Sequence, residues 1–356
     1  MLKTNIIPVF KKQFILFVSF FIIIFLELIK FDSNLIENYY STFLYKYSSS
    51  VFLYIFGKLP FSVGDILYLL TPFILYFNIN KDDTRRKNIK NLLCFLMLIY
   101  IIFQFQWGLN YHRIPLKNKL LIEHNYSTKS LINITDLFIR NTNNIQVELS
   151  KSDTLPVIYS DNNNAIYNAS IKAIQTLKKN KVLNENVPLV SIKNSLFSTP
   201  LSYMGFSGYI NPFTLEAHIN KNIPKIQIPT TICHEIAHQM GYSAENEANF
   251  IGIIASIESK DNLVNYSGNI LALKYLLNEL YKVDKVSYNI LYLKINKGVI
   301  KNIQEARKEL DKFNNPLEPY FKNIFDYFLK ANNQVDGIKS YNLVVNLLVN
   351  YYTSPQ

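Results

Sequence analysis

Apolar residues gather into three dense runs before residue 108 and thin out after it. The runs are residues 14–29 (FILFVSFFIIIFLELI), 63–77 (VGDILYLLTPFILYF) and 92–107 (LLCFLMLIYIIFQFQW). A bilayer hydrocarbon core takes about 20 helical residues to cross. With their flanks, the runs predict transmembrane helices over about 13–30, 61–78 and 91–107, which makes residues 1–107 a membrane anchor. Residues 51–56 (VFLYIF) are too short to span and are expected in the interface.

Residues 108–356 read as a second domain of helices joined by loops rich in Asn, Ser and Lys. Helical spacing marks 128–142, 164–179, 269–283, 287–297, 301–313, 317–331 and 339–351. Residues 188–193 (PLVSIK) are β-like, and 201–210 (LSYMGFSGYI) read as a strand or hairpin bending at Gly205 and Gly208. A further helix is expected from near Pro229 to a stop at Gly241, and another from about Ala244 to before Asp261, with Gly268 as a break. The fold class is mainly α with a small β element (α+β).

Loop charges set an orientation. Lys3, Lys11 and Lys12 precede the first run, and Lys81, Arg85, Arg86, Lys87 and Lys90 separate the second from the third. The longer stretch 31–60 has only Lys46 and Lys58. The positive-inside rule puts both basic segments in the cytoplasm and everything after Trp107 outside it. No small-x-small cleavage site follows Ile29, so the first run reads as an anchor rather than a cleaved signal peptide. Glu27 and Asp65, near run ends, are expected to snorkel toward the headgroups.

Composition adds limits. The chain is 49% hydrophobic with a net charge of +11, but its lysines are scattered and form no basic run interleaved with aromatics. Membrane lipid is therefore the expected partner, and nucleic acid is not. Of two cysteines, Cys94 lies in an apolar run and Cys233 directly precedes the histidine motif, so no structural disulfide is expected. Cys233 projects away from the histidines and reads as a packing residue.

Only five histidines occur, and two of them fall in His234-Glu235-Ile236-Ala237-His238, an H-E-x-x-H. On a helix, i and i+4 share a face, so both imidazoles can reach one metal ion. The glutamate between them is rotated off that face, where it can take a proton from water. A catalytic zinc ion needs a third protein ligand and one open position. The next helix offers Glu245 and Glu247, about 200° apart, so only one faces the metal. Glu245 is favoured: it shares a stripe with Asn249, Gly252 and Ser256, small or polar residues that allow close helix approach. Asn249 is then expected to hydrogen-bond a ligating histidine. The bland alternative for both glutamates is stabilisation of the helix dipole.

HEIAHQ followed by ENEANFIG resembles the zinc-binding core of gluzincin metallopeptidases, especially the membrane-bound HtpX and CAAX-prenyl types. The resemblance implies a zincin-like domain with Zn2+ held by His234, His238 and Glu245, Glu235 as general base, and Asn249 where those families carry aspartate. Only six residues separate His238 from Glu245, fewer than in those families. The apolar runs, WGLNYHR, YMGFSGYINPFT, HEIAHQ and LKANNQVDGIKSYN also resemble, over nearly the whole chain, a family of bacterial membrane proteins known only as a domain of unknown function. That likeness implies a multi-pass protein of the bacterial inner membrane and names no substrate.

The leading expectation is a membrane-anchored zinc metallopeptidase acting on a peptide or protein substrate. Residues 201–214 read equally as an edge strand that takes an extended peptide and as an internal hairpin with no ligand. The alternatives are a metal-binding envelope protein without catalysis, and a zinc hydrolase of a lipid or cell-wall component. Tyr341, Tyr266, Tyr242 and His218 are candidate transition-state donors by residue type only.

Overall fold

The computed structural model describes residues 6–78, 84–122, 125–159, 163–177, 189–337 and 343–353. The chain divides into two compact units. The first is Met1–Ile114 with Asn211–Glu216, and the second is Pro115–Ile210 with Ala217–Gln356.

The first unit is helical: α1 (Ile6–Ile29), α2 (Ser33–Gly57), α3 (Val63–Asn78) and α4 (Arg85–Gln106). Helix α4, with 22 residues and about 33 Å of length, is long and apolar enough to cross a bilayer by itself. Its Leu93, Leu96, Leu98 and Phe105 are all exposed, as lipid-facing side chains would be. The expectation of three independent spans is corrected to this one. Lys11 and Lys12 fall inside α1 and leave about 26 Å of apolar helix, and α3 with 16 residues reaches about 24 Å. Helix α1 passes the same test only together with α2, from which it bends by 99°.

Asp32 makes that bend by capping α2, its Oδ1 accepting from the Asn34 and Leu35 amides at 3.0 Å each. Residues 51–56 belong to α2. Glu27 pairs with Lys30 at 2.6 Å and with Tyr100, whereas Asp65 is fully buried rather than reaching toward headgroups. The WGLNYHR segment holds this unit together: Arg113 forks onto buried Glu37 at 2.9 and 3.1 Å, and Asn110 accepts from Ser41 at 2.9 Å. Glu216 accepts the Gly64 and Val63 amides at the start of α3, at 2.6 and 3.3 Å.

The second unit contains α5 (Thr128–Ser150), α6 (Asn163–Thr176), β1 (Ile192–Asn194), α7 (Ser198–Met204), β2 (Gly208–Ile210) and β3 (Ala217–Ile219). Then follow α8 (Ile228–Gln239), α9 (Glu245–Ile257), α10 (Asn262–Val283), α11 (Lys285–Tyr292), α12 (Lys297–Asp311), α13 (Glu318–Ala331) and α14 (Val344–Thr353). The small sheet runs β1-β3-β2, with β1 parallel and β2 antiparallel to β3. The fold is thus mainly helical with one small sheet. The expected strand over 201–210 is partly helix: α7 runs to Met204, and Gly205 ends it with φ +78°. Gly208 opens β2, which leaves β2 and β3 three residues each, too short for a readable alternation.

The core lies around α8, α9 and α10. Ile232, Cys233, Ile236 and Ala237 are fully buried against Phe250, Ile251, Ile254, Leu273 and Leu276. Glycine sets how closely the three helices approach. A Cβ at Gly252 would lie 3.0 Å from the His234 nitrogen, and one at Gly268 only 2.7 Å from the Ser256 Cβ. Gly268 is therefore a packing point within a continuous α10, not the expected break.

Candidate metal centre

Pro229 opens α8 in its first turn, where its missing N–H leaves no carbonyl unsatisfied. One turn apart on this helix, the His234 and His238 rings lie 4.6 Å from each other at 86°. Glu245 begins α9 and comes back onto them: its Oε2 lies 3.4 Å from His234 Nε2, and its Oε1 lies 3.7 Å from His238 Nε2. Ligand atoms of the three residues all lie within 4.8 Å of one another.

The six-residue link suffices because α8 ends in a Schellman turn. Gly241 adopts φ +84° and donates to the His238 carbonyl at 2.8 Å, and the Tyr242 amide donates to Ala237 at 3.1 Å. The same turn aims the Tyr242 carbonyl at His238 Nδ1, 2.7 Å away. That contact fixes the ring with Nδ1 as donor and turns Nε2 toward Glu245, the arrangement typical of a ligating histidine. The sequence offered no sign of it, because the partner is a backbone atom.

Glu247 faces elsewhere. Its Oε1 accepts the Leu116 amide at 2.6 Å, and the residue is buried there. Asn249 does not make the bond expected of it: among the described residues its Nδ2 has no partner, and the backbone of Tyr242 holds His238 instead. Cys233 donates to the Ser170 carbonyl at 3.4 Å, and burial pushes its thiol up to about 12, so it packs rather than ligates.

Glu235 is buried with Oε2 lacking a hydrogen-bond partner among the described residues. Its other oxygen would stand 2.6 Å from a Cβ at Gly208, so β2 passes the carboxylate closely because residue 208 is glycine. Burial raises the Glu235 carboxyl above its ordinary value, despite the opposing histidines. For His238, burial alone would lower the ring, but Glu245, Glu235 and the Tyr242 carbonyl outweigh it and raise it to about 9. Burial likewise opposes ionisation of Glu245, but the two histidines hold it well below the usual carboxylate range.

Two imidazole nitrogens and one carboxylate form a donor set suited to zinc with an open fourth position. The buried unpartnered atoms agree with that fit. His234 Nδ1 makes no hydrogen bond among the described residues, and Glu245 Oε2 has only the 3.4 Å approach of His234 Nε2, an expensive arrangement unless something else engages this centre.

The side chains of the candidate transition-state donors make other contacts. Tyr266 donates to Asn302 at 3.0 Å, Lys119 sits 5.6 Å from the centre of the Tyr242 ring, and His218 stacks on Tyr209 at 4.6 Å. Tyr341 is outside the described residues. A tyrosine passed over in the sequence is coupled to the site: burial first, and then the Glu245 carboxylate, raises the Tyr275 phenol.

A family model described as a protein of unknown function (DUF3810) matches residues 40–349, and the chain belongs to that family. No curated protein and no solved structure matches it.

Proposed function

We propose that the chain is a membrane-anchored zinc metallopeptidase whose ligands are His234, His238 and Glu245. The observation that carries this reading is their convergence within 4.8 Å beside the buried, unpartnered carboxylate oxygen of Glu235. Zinc bound there would polarise a carbonyl and make water acidic near neutral pH.

The remaining work falls to the chain. Glu235 takes a proton from the attacking water at Oε2 and delivers it to the leaving amine. The Tyr242 carbonyl keeps the His238 ring in one tautomer and orientation. Strand β2 is an edge of the sheet order, and its Gly208 abuts Glu235, so an extended peptide added along β2 would bring its backbone near the base. A metal protein without catalysis has no use for a base kept unpartnered in this position.

The anchor reading rests on α4. Arg85, Arg86, Lys87 and Lys90 load its N-terminal end, and Trp107 follows its last residue. Positive-inside orientation places that basic end in the cytoplasm and the candidate site outside it, in the inner membrane of a bacterium.

The test is digestion of a peptide library by the full chain in nanodiscs, with the Glu235→Gln variant alongside. The substitution keeps size and most hydrogen bonding but cannot accept the proton. Zinc is expected to stay while turnover falls about a hundredfold or more. Cleavage near the wild-type rate by a zinc-loaded Glu235→Gln variant defeats the mechanism.

A further inference from the structure

The late segment Asn332-Asn333-Gln334 belongs to a motif that the proposed chemistry leaves unused. Asn332 caps α13, Asn333 takes the left-handed conformation with φ +64°, and the Gln334 amide reaches back to the Leu329 carbonyl at 3.0 Å. This is a second Schellman turn, with asparagine in the position where glycine is commonest. It fixes the backbone of Gln334 and turns its side chain inward, where only 8% of the residue is exposed.

That side chain meets the start of α9. The N-cap there is Ala244, which has no side-chain acceptor for the first-turn amides. Gln334 Oε1 accepts the Glu245 amide at 3.3 Å, and Gln334 Nε2 donates to the Ser243 carbonyl at the longer distance of 3.5 Å. The amide so held is that of the residue whose carboxylate faces both histidines.

The geometry points to Gln334 as a positioning residue that fixes the Glu245 backbone, and through it the carboxylate, for metal binding. The inference rests on the proposed ligand set. It assigns the Asn332–Gln334 segment a task at the site, 89 residues away along the chain. Gln334 touches neither substrate nor metal and acts through Glu245.

The test uses the full chain with Gln334→Met, which keeps length and packing but removes the bonds to the Glu245 amide and the Ser243 carbonyl, and with Gln334→Ala. Asn302→Ala serves as a control that breaks a buried network at Val157 and Tyr266. Two quantities are read: amide exchange over residues 243–247 in metal-free protein, and zinc affinity by chelator competition. Both Gln334 variants are expected to speed exchange there about fivefold, the scale of one lost hydrogen bond. Zinc affinity is expected to fall about tenfold, the lower range for losing a group that orients a ligand. The Asn302→Ala variant is expected to lose stability while keeping zinc affinity.

Wild-type exchange and zinc affinity in Gln334→Met overturn the inference, as does an equal loss of affinity in Asn302→Ala. A wild-type chain that binds no zinc defeats the proposed ligand set instead. The exchange measurement still decides whether Gln334 holds Glu245.

Discussion

Replacing Gly252 with alanine sets two effects of opposite sign against each other. In the interior of α9, alanine gains about 1 kcal/mol over glycine in helix propensity. The added Cβ would lie 3.0 Å from the His234 nitrogen, 3.2 Å from its Cα and 3.2 Å from the Thr230 carbonyl oxygen. These are backbone atoms of α8, so relief requires α9 to retreat by a few tenths of an ångström. Overpacking of this kind costs about 1–3 kcal/mol, which leaves a net loss of about 0–2 kcal/mol. The retreat also moves Glu245 away from His234, and metal sites tolerate about 0.2 Å in ligand distance. Zinc affinity is therefore expected to fall about tenfold or more, out of proportion to the small stability change. Denaturant unfolding of the metal-free protein and chelator competition for zinc measure the two separately. A Gly252→Ala variant that gains the full helix-propensity increment and binds zinc like the wild type would refute the account of how α8 and α9 build the site.

Two further outcomes are expected. With its folded value raised from 6.5 to about 9, His238 in metal-free protein adds stability fully present below its unfolded pKa and lost as pH rises through about 9. A metal must displace that proton, so cobalt affinity should climb about tenfold per pH unit between about pH 6 and 8; a flat profile contradicts the raised value. Alkaline phosphatase fused after Gln356 should be active if α4 runs from a cytoplasmic basic end to an external Trp107, and a fusion active only as a cytoplasmic reporter reverses that topology.

What the sequence made legible was local. Pro229, the i, i+4 histidines and Gly241 mark α8 because each acts within one helical turn of its neighbours. Glu245 and Glu247 share a first turn and the same acidic chemistry, and what distinguishes them is the Leu116 amide, 131 residues from Glu247. Gln334 was illegible for the same reason, since nothing near it in the chain says which backbone it meets. In the first unit, apolar composition was plain, but the bend at Asp32 and the lengths of α1 and α3 depend on capping and on where lysines interrupt the helix. Gly268 misled because a glycine that breaks an isolated helix equally well lets two packed helices touch.

The ligand set itself is tested most directly by metal analysis of the purified full chain and three variants. The account predicts about one zinc per chain in the wild type, its loss in His234→Ala and Glu245→Ala, and its retention in Glu247→Ala. A zinc-free wild type, or a site emptied by Glu247→Ala but not by Glu245→Ala, would contradict it.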